Sequence, residues 1–302
     1  MSGRALLLAV AMTVAPAAQA LMVAGVDVTT NTLPPGNGAP WDHVGSIGGT
    51  TGVYLGAFGG GYWVITAAHV GIGALTLNNV TYTAVPGSGV QIGGADVFVY
   101  RIDSNPGLTN LALSAVAPGV NAAVTLIGAG VKGDATLLNW SVNQNGNTSG
   151  ASGGAAWTWT AQPDASGANL SGYGWGSGKV LRWGTNAISG TTSYNIGTGT
   201  TSALYTTFNP ITGEAQGAAG DSGGAMFYLN GSTWELAGIL GAIGTFNNQP
   251  GSTAVFGNIT YAADISVYRS AITSAIPEPA GVVAWSGALA AGVALWRRRR
   301  RA

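Results

Sequence analysis

The chain has 302 residues, with eleven acidic and eleven basic side chains, two histidines and no cysteine. The formal charge of zero conceals an asymmetry: all the acids lie between Asp27 and Glu278, where only Arg101, Lys132, Lys179, Arg182 and Arg269 oppose them. That mildly acidic stretch argues against nucleic acid as a partner, and the missing cysteine excludes disulfides, thiolate metal sites and a thiol nucleophile.

In chain order, residues 1–20 carry Arg4, an apolar run from Ala5 and the small-residue site Ala18-Gln19-Ala20. This is the layout of a secretory signal peptide, the alternative being a buried N-terminal helix. Short alternating apolar runs follow, at Val53–Leu55, Tyr62–Ile65, Val97–Ile102, Ala123–Ile127 and Leu236–Leu240. Turn signals such as Pro86-Gly87, Pro118-Gly119 and Asn230-Gly231 separate many of them, and fifty glycines fit the same reading. The pattern is all-β, as a sandwich or a barrel.

The segment 139–201 differs, being rich in Gly, Ser, Asn, Thr and Trp, with Trp157-Thr158-Trp159 and Gly172-Tyr173-Gly174-Trp175-Gly176. It reads as strands of a second barrel with long glycine-rich loops, in preference to an aromatic loop that contacts polysaccharide. Over Tyr261–Ile276, Ile265, Tyr268, Ala271 and Ile272 fall at helical spacing, which predicts one C-terminal helix stopped by Pro277. From Ala280 to Trp296 there is no charge, and Arg297–Arg301 follow without interruption. That run would span roughly 25 Å as a helix, enough for a short transmembrane segment whose arginines stay cytoplasmic, with the preceding chain outside.

With two histidines the search for a general base is short. His69 closes the apolar run Tyr62-Trp63-Val64-Ile65-Thr66-Ala67-Ala68, whereas His43 has no such setting and is expected at the surface or in a turn. Asp96 heads the apolar stretch Val97–Ile102, where a carboxylate needs a hydrogen-bonding partner and an imidazole N–H would serve; Asp103 reads as a solvated turn residue. In Gly220-Asp221-Ser222-Gly223-Gly224 the glycines allow a tight turn with converging N–H groups and an unobstructed serine. The same run fits the nucleophile elbow of α/β-hydrolases, but that fold needs a histidine after the serine and none follows. The remaining order is His, Asp, Ser.

Thr66-Ala67-Ala68-His69, the Asp96 strand and Gly220-Asp221-Ser222-Gly223-Gly224, taken together and in this order, resemble the trypsin/chymotrypsin serine peptidase family. Pro118–Gly130 resembles the lead-in to that family's second barrel and Val255–Ile272 its last strand and terminal helix, so the likeness covers most of 22–276. The resemblance implies two six-stranded antiparallel β-barrels, over 21–115 and 116–276, with a C-terminal helix. It implies a triad of His69, Asp96 and Ser222, an oxyanion hole from the N–H groups of Gly220 and Ser222, and a protein or peptide substrate. Gln216 would floor the primary specificity pocket, and Gly241, Ala242 and Ile243 would line its wall. No cofactor or metal is implied.

The sequence also departs from the family. The His69–Asp96 interval is short and the Asp96–Ser222 interval long, Gln216 is neutral, and Ile243 replaces a glycine usual on the pocket wall. Met22-Val23-Ala24-Gly25 resembles the family's activated N-terminus, whose amine would pair with Asp221. Residues 277–302, with Pro277-Glu278-Pro279, an apolar run and the arginines, resemble the PEP-CTERM sorting signal. That signal implies a Gram-negative bacterium, an exosortase-type processing partner, transient anchoring in the inner membrane, and a final place at the cell surface or in the matrix. A non-catalytic β-rich surface protein on the same fold is the alternative, and the complete triad with its oxyanion glycine argues for the enzyme.

Overall fold

A computed structural model describes residues 21–27, 29–148 and 154–276. The leader expected over 1–20 and the sorting segment expected over 277–302 lie outside these, as does Pro277. Among the described residues no helix is long and apolar enough to cross a membrane.

Two antiparallel sheets and their shared core organise the chain. In the first sheet, Val44–Ile47 pairs with Thr50–Phe58 on one side and Leu75–Leu77 on the other. Thr50–Phe58 then pairs with Gly61–Thr66, which pairs with Phe98–Ile102. An isolated bridge, Ala84 to Ile102, is what brings the two ends of this sheet together, so the first expected barrel is a half-barrel. Its central strands are buried on both faces. Val53, Leu55, Ile65 and Val99 enter one cluster while Tyr54, Val64, Tyr100 and Ile102 enter another, as the two-residue period of a strand requires.

The second sheet closes. Ala123–Gly128, Arg182–Tyr194, Thr201–Thr207, Ile259–Asp264, Thr233–Gly244 and Ala225–Asn230 pair in sequence, and the last returns to the first. Val124, Leu126, Ile188, Leu204, Met226 and Leu240 share one core cluster. Another cluster joins the two sheets, with Val53 and Ile65 of the first packed among Ile127, Phe227 and Ile239 of the second.

Two further expectations change. Much of the 139–201 segment forms a separate four-stranded sheet of Thr158–Gln162, Val131–Asn143, Leu170–Lys179 and Thr253–Val255, and only its later part enters the closed barrel. Glycine makes this possible: a Cβ on Gly172 would lie 2.1 Å from the Ala254 carbonyl oxygen. Trp140 and Trp157 are buried, with Trp157 stacked on Phe246 at 5.7 Å, so these aromatics are a core. The helix begins later than predicted, at Ile265–Ala275, because Ile259–Asp264 continues as a strand. Asp264 caps the helix by accepting from the Ser266 N–H at 2.9 Å. Ile265, Tyr268 and Ile272 are buried as expected, whereas Ala271 faces outward.

Candidate active site

His69 lies just beyond the Gly61–Thr66 strand, and Asp96 just before Phe98–Ile102, its antiparallel neighbour. The pairing brings the two side chains together. His69 Nδ1 is 3.0 Å from Asp96 Oδ1 and 2.9 Å from Oδ2, and the His69 main-chain N–H donates to Oδ1 at 3.0 Å. Asp96 is fully buried while the His69 side chain is 29% exposed. Burying a carboxylate is costly unless donors replace its water, and here they do. An Nδ1–H held on Asp96 leaves Nε2 as the acceptor. Asp103, by contrast, is exposed and accepts from Ser104 and from the Thr83 N–H, as a turn residue does.

Two further groups, not singled out in the sequence, grip Asp96 from the closed barrel. The Tyr194 hydroxyl donates to Oδ2 at 3.1 Å, and Thr201 Oγ1 accepts from the Asp96 main-chain N–H at 2.8 Å. Nothing in the local sequence marks either residue, since they stand 98 and 105 positions away from the aspartate they contact. His43 corrects the surface expectation. It is buried, its Nδ1 lies 2.8 Å from the Tyr54 carbonyl oxygen, and burial pushes its pKa down.

The Gly220–Gly224 loop sits against Thr50–Phe58, the antiparallel neighbour of the strand that leads towards His69. Thr51 N–H donates to the Ser222 carbonyl at 3.0 Å and Thr51 Oγ1 to the Gly220 carbonyl at 2.9 Å. Thr66, three residues before His69, donates to the Thr51 carbonyl at 2.7 Å. Gly220 and Gly223 have φ of +94° and +84°, and a Cβ on Gly223 would meet the Thr51 carbonyl oxygen at 2.0 Å. The N–H groups of Gly220 and Ser222 make no hydrogen bond among the described residues, and neither does Ser222 Oγ. The structure thus joins His69 to Asp96 directly and holds the serine loop on the strand beside the histidine's, without a hydrogen bond between Ser222 and His69.

Asp221 is turned inward. Its carboxylate accepts from the N–H groups of Gly130 at 2.9 Å and Ala218 at 2.7 Å, and from that of Leu21. Burial outweighs these donors and pushes its pKa up to about 7. The N-terminal segment thus meets Asp221 through Leu21, one residue before the expected Met22, which instead pairs with Gln216. Arg182, itself buried, donates to the carbonyls of Leu21, Asp27 and Thr30 and fastens that segment.

A cavity of about 240 Å³ opens beside Ser222, lined by Trp175, Leu240, Gly241, Ala242, Ile243 and Thr260 among others. Gly241, Ala242 and Ile243, expected on a pocket wall, are among its lining residues. Gln216 is not: it is buried outside the lining, with Nε2 bonded to the Ile259 carbonyl at 3.2 Å. Gly217, Thr260 and Ile243 are in the lining, and a Cβ on Gly217 would meet Thr260 at 3.2 Å and Ile243 at 3.4 Å. Among the described residues no three His, Asp or Glu side chains converge as a metal site.

The closed six-stranded barrel, the half-barrel and the C-terminal helix define a chymotrypsin-like fold. No protein-family model and no curated protein matches the sequence. Similar solved structures include the Rv3671c protease from M. tuberculosis in its active form, at 15% identity and TM-score 0.41, covering 79% of this chain and 81% of that one. The NS6 protease of murine norovirus 1 is 15% identical with TM-score 0.39, covering 77% of this chain and 94% of its own. The HtrA-type protease AlgW with a decapeptide is 17% identical with TM-score 0.40, over 75% and 50%. At these values they carry no chemistry over to this chain.

Proposed function

We propose that the protein is an exported serine endopeptidase whose nucleophile is Ser222, whose general base is His69 and whose orienting carboxylate is Asp96. The observation that carries this reading is the His69–Asp96 pair, a buried carboxylate on Nδ1 with Nε2 free to accept. Ser222 Oγ attacks the scissile carbonyl and gives its proton to His69 Nε2, while Asp96 holds the tautomer and stabilises the imidazolium. The N–H groups of Gly220 and Ser222 receive the developing oxyanion. His69 then protonates the leaving amine, and water activated by the same imidazole releases the acyl group from Ser222.

The cavity beside Ser222 is lined by neutral groups apart from Asp221, whose carboxylate is engaged by main-chain N–H groups. A substrate side chain held there is uncharged and aliphatic. Export follows from the leader, with cleavage after Ala20 making Leu21 the first residue. The C-terminal segment serves sorting by an exosortase-type enzyme at the inner membrane. A fluorophosphonate probe tests the central claim: it labels the folded protein and fails on Ser222→Ala. A folded protein that takes no label is instead the non-catalytic surface protein.

A further inference from the structure

We infer that Tyr194 is a positioning residue, whose hydroxyl fixes the plane of the Asp96 carboxylate and thereby sets how that carboxylate holds His69. The inference rests on the triad reading for its kinetic consequence but not for its geometry. Each carboxylate oxygen has its own outside donor: Oδ1 takes the His69 main-chain N–H at 3.0 Å, and Oδ2 takes the Tyr194 hydroxyl at 3.1 Å. Nδ1 lies almost equally far from both oxygens, so donors at either end pin the group against rotation.

The surroundings are shaped for this contact. Tyr194 is 8% exposed and lies in the closed barrel, opposite Thr201 in the strand register. Its partner Thr201 holds the Asp96 main chain, so one cross-strand pair grips both the backbone and the side chain of one residue. The connecting hairpin docks on the same loop, where Gln91 Nε2 donates to the carbonyls of Thr198 and Ala95 at 2.8 Å each. Gly241 completes the fit. A Cβ there would lie 1.9 Å from the Tyr194 hydroxyl oxygen and 3.0 Å from Asp96 Oδ2. The phenol therefore occupies space that any side chain at position 241 would claim. Burial and the Asp96 charge push the Tyr194 pKa up, which keeps the hydroxyl protonated as a donor. The other titratable groups facing this cluster are Tyr261, with its ring 5.9 Å from Tyr194, and Tyr268.

A hydrogen bond to the carboxylate disperses its charge, so losing it strengthens the pull on the imidazolium. Tyr194→Phe should move the His69 titration upward by about half a pH unit, read by NMR of the imidazole protons. With only two histidines in the chain, His43→Gln assigns the signals. In turnover, kcat should fall about tenfold at unchanged KM, and the acid limb of kcat/KM should move upward with the titration. Tyr194→Ala combined with Gly241→Ser returns a hydroxyl to Asp96 and should recover most of kcat, whereas Tyr194→Ala with Gly241→Ala should not. A folded Tyr194→Phe protein with a parental His69 titration overturns the inference, as does equal recovery by both double variants. If the parent takes no fluorophosphonate label the peptidase reading fails, while the NMR titration still decides the role of Tyr194.

Discussion

Asp221 gives the sharpest handle on how the N-terminus and the serine loop are coupled. Its pKa is pushed up to about 7 from 3.8, so between these values the folded chain holds a proton that the unfolded chain has released. Folding is therefore weakened as pH rises from about 4 to about 7, with no further change above. The rise corresponds to roughly 4 kcal/mol, since each pH unit between the two values is worth about 1.4 kcal/mol. This holds for a chain that continues before Leu21, where only a main-chain N–H meets the carboxylate. In a chain beginning at Leu21 the same nitrogen is an α-ammonium, which favours the ionised carboxylate and offsets the penalty. Urea unfolding at about pH 5, 6, 7 and 8, the range in which the proton is lost, on chains beginning at Gln19 and at Leu21 tests this. The two should agree near the acid end, and the Leu21 form should be the more stable at the alkaline end. Asp221→Asn in the longer chain should flatten the pH dependence. Parallel curves for the two chains, or an unchanged slope with asparagine, would refute the coupling.

The serine loop and the cavity make further expectations definite. Gly223→Ala places a Cβ 2.0 Å from the Thr51 carbonyl oxygen at φ of +84°, and should cost roughly 4 kcal/mol or prevent folding. Gly231→Ala, at φ of +61° with nothing within 4 Å, should cost only about 1 kcal/mol; equal losses in urea unfolding would contradict the close packing. Ile243→Gly removes a side chain that lines the cavity, so cleavage of a peptide library should shift towards aromatic residues at the acyl position by about tenfold. An unchanged profile would mean that another surface selects the substrate. Active-site titration with the fluorophosphonate should also report one labelled serine per chain, lost in Ser222→Ala.

The all-β class and the pairing of His69 with Asp96 were legible because both depend on local signals. An alternating apolar run marks a strand, and a lone acid at the head of such a run demands a partner. Asp103, just past the far end of the same run, makes no such demand, because water reaches it there and it lies exposed. What was not legible depends on approach through space. Tyr194 and Thr201 reach Asp96 from 98 and 105 positions away, and no spacing rule announces such a contact. His43 was expected at the surface or in a turn, yet the Tyr54 carbonyl gives its ring a buried partner. The helix was placed too early because Tyr261 and Ala262 belong to a strand that runs directly into the first helical turn, and apolar residues at a strand–helix junction satisfy both periods. Gln216 was read as a pocket floor by offset from Ser222, but its pairing with Met22 and its bond to Ile259 keep it out of the lining.

Thr51 ties the half-barrel to the closed barrel through three hydrogen bonds, donating to Ser222 and Gly220 and accepting from the Ala129 N–H at 2.8 Å. Breathing of one half against the other would rupture all three together. On the peptidase reading, a substrate would meet the two halves as a single anvil. Thermal loss of any catalytic competence should coincide with global melting and not precede it.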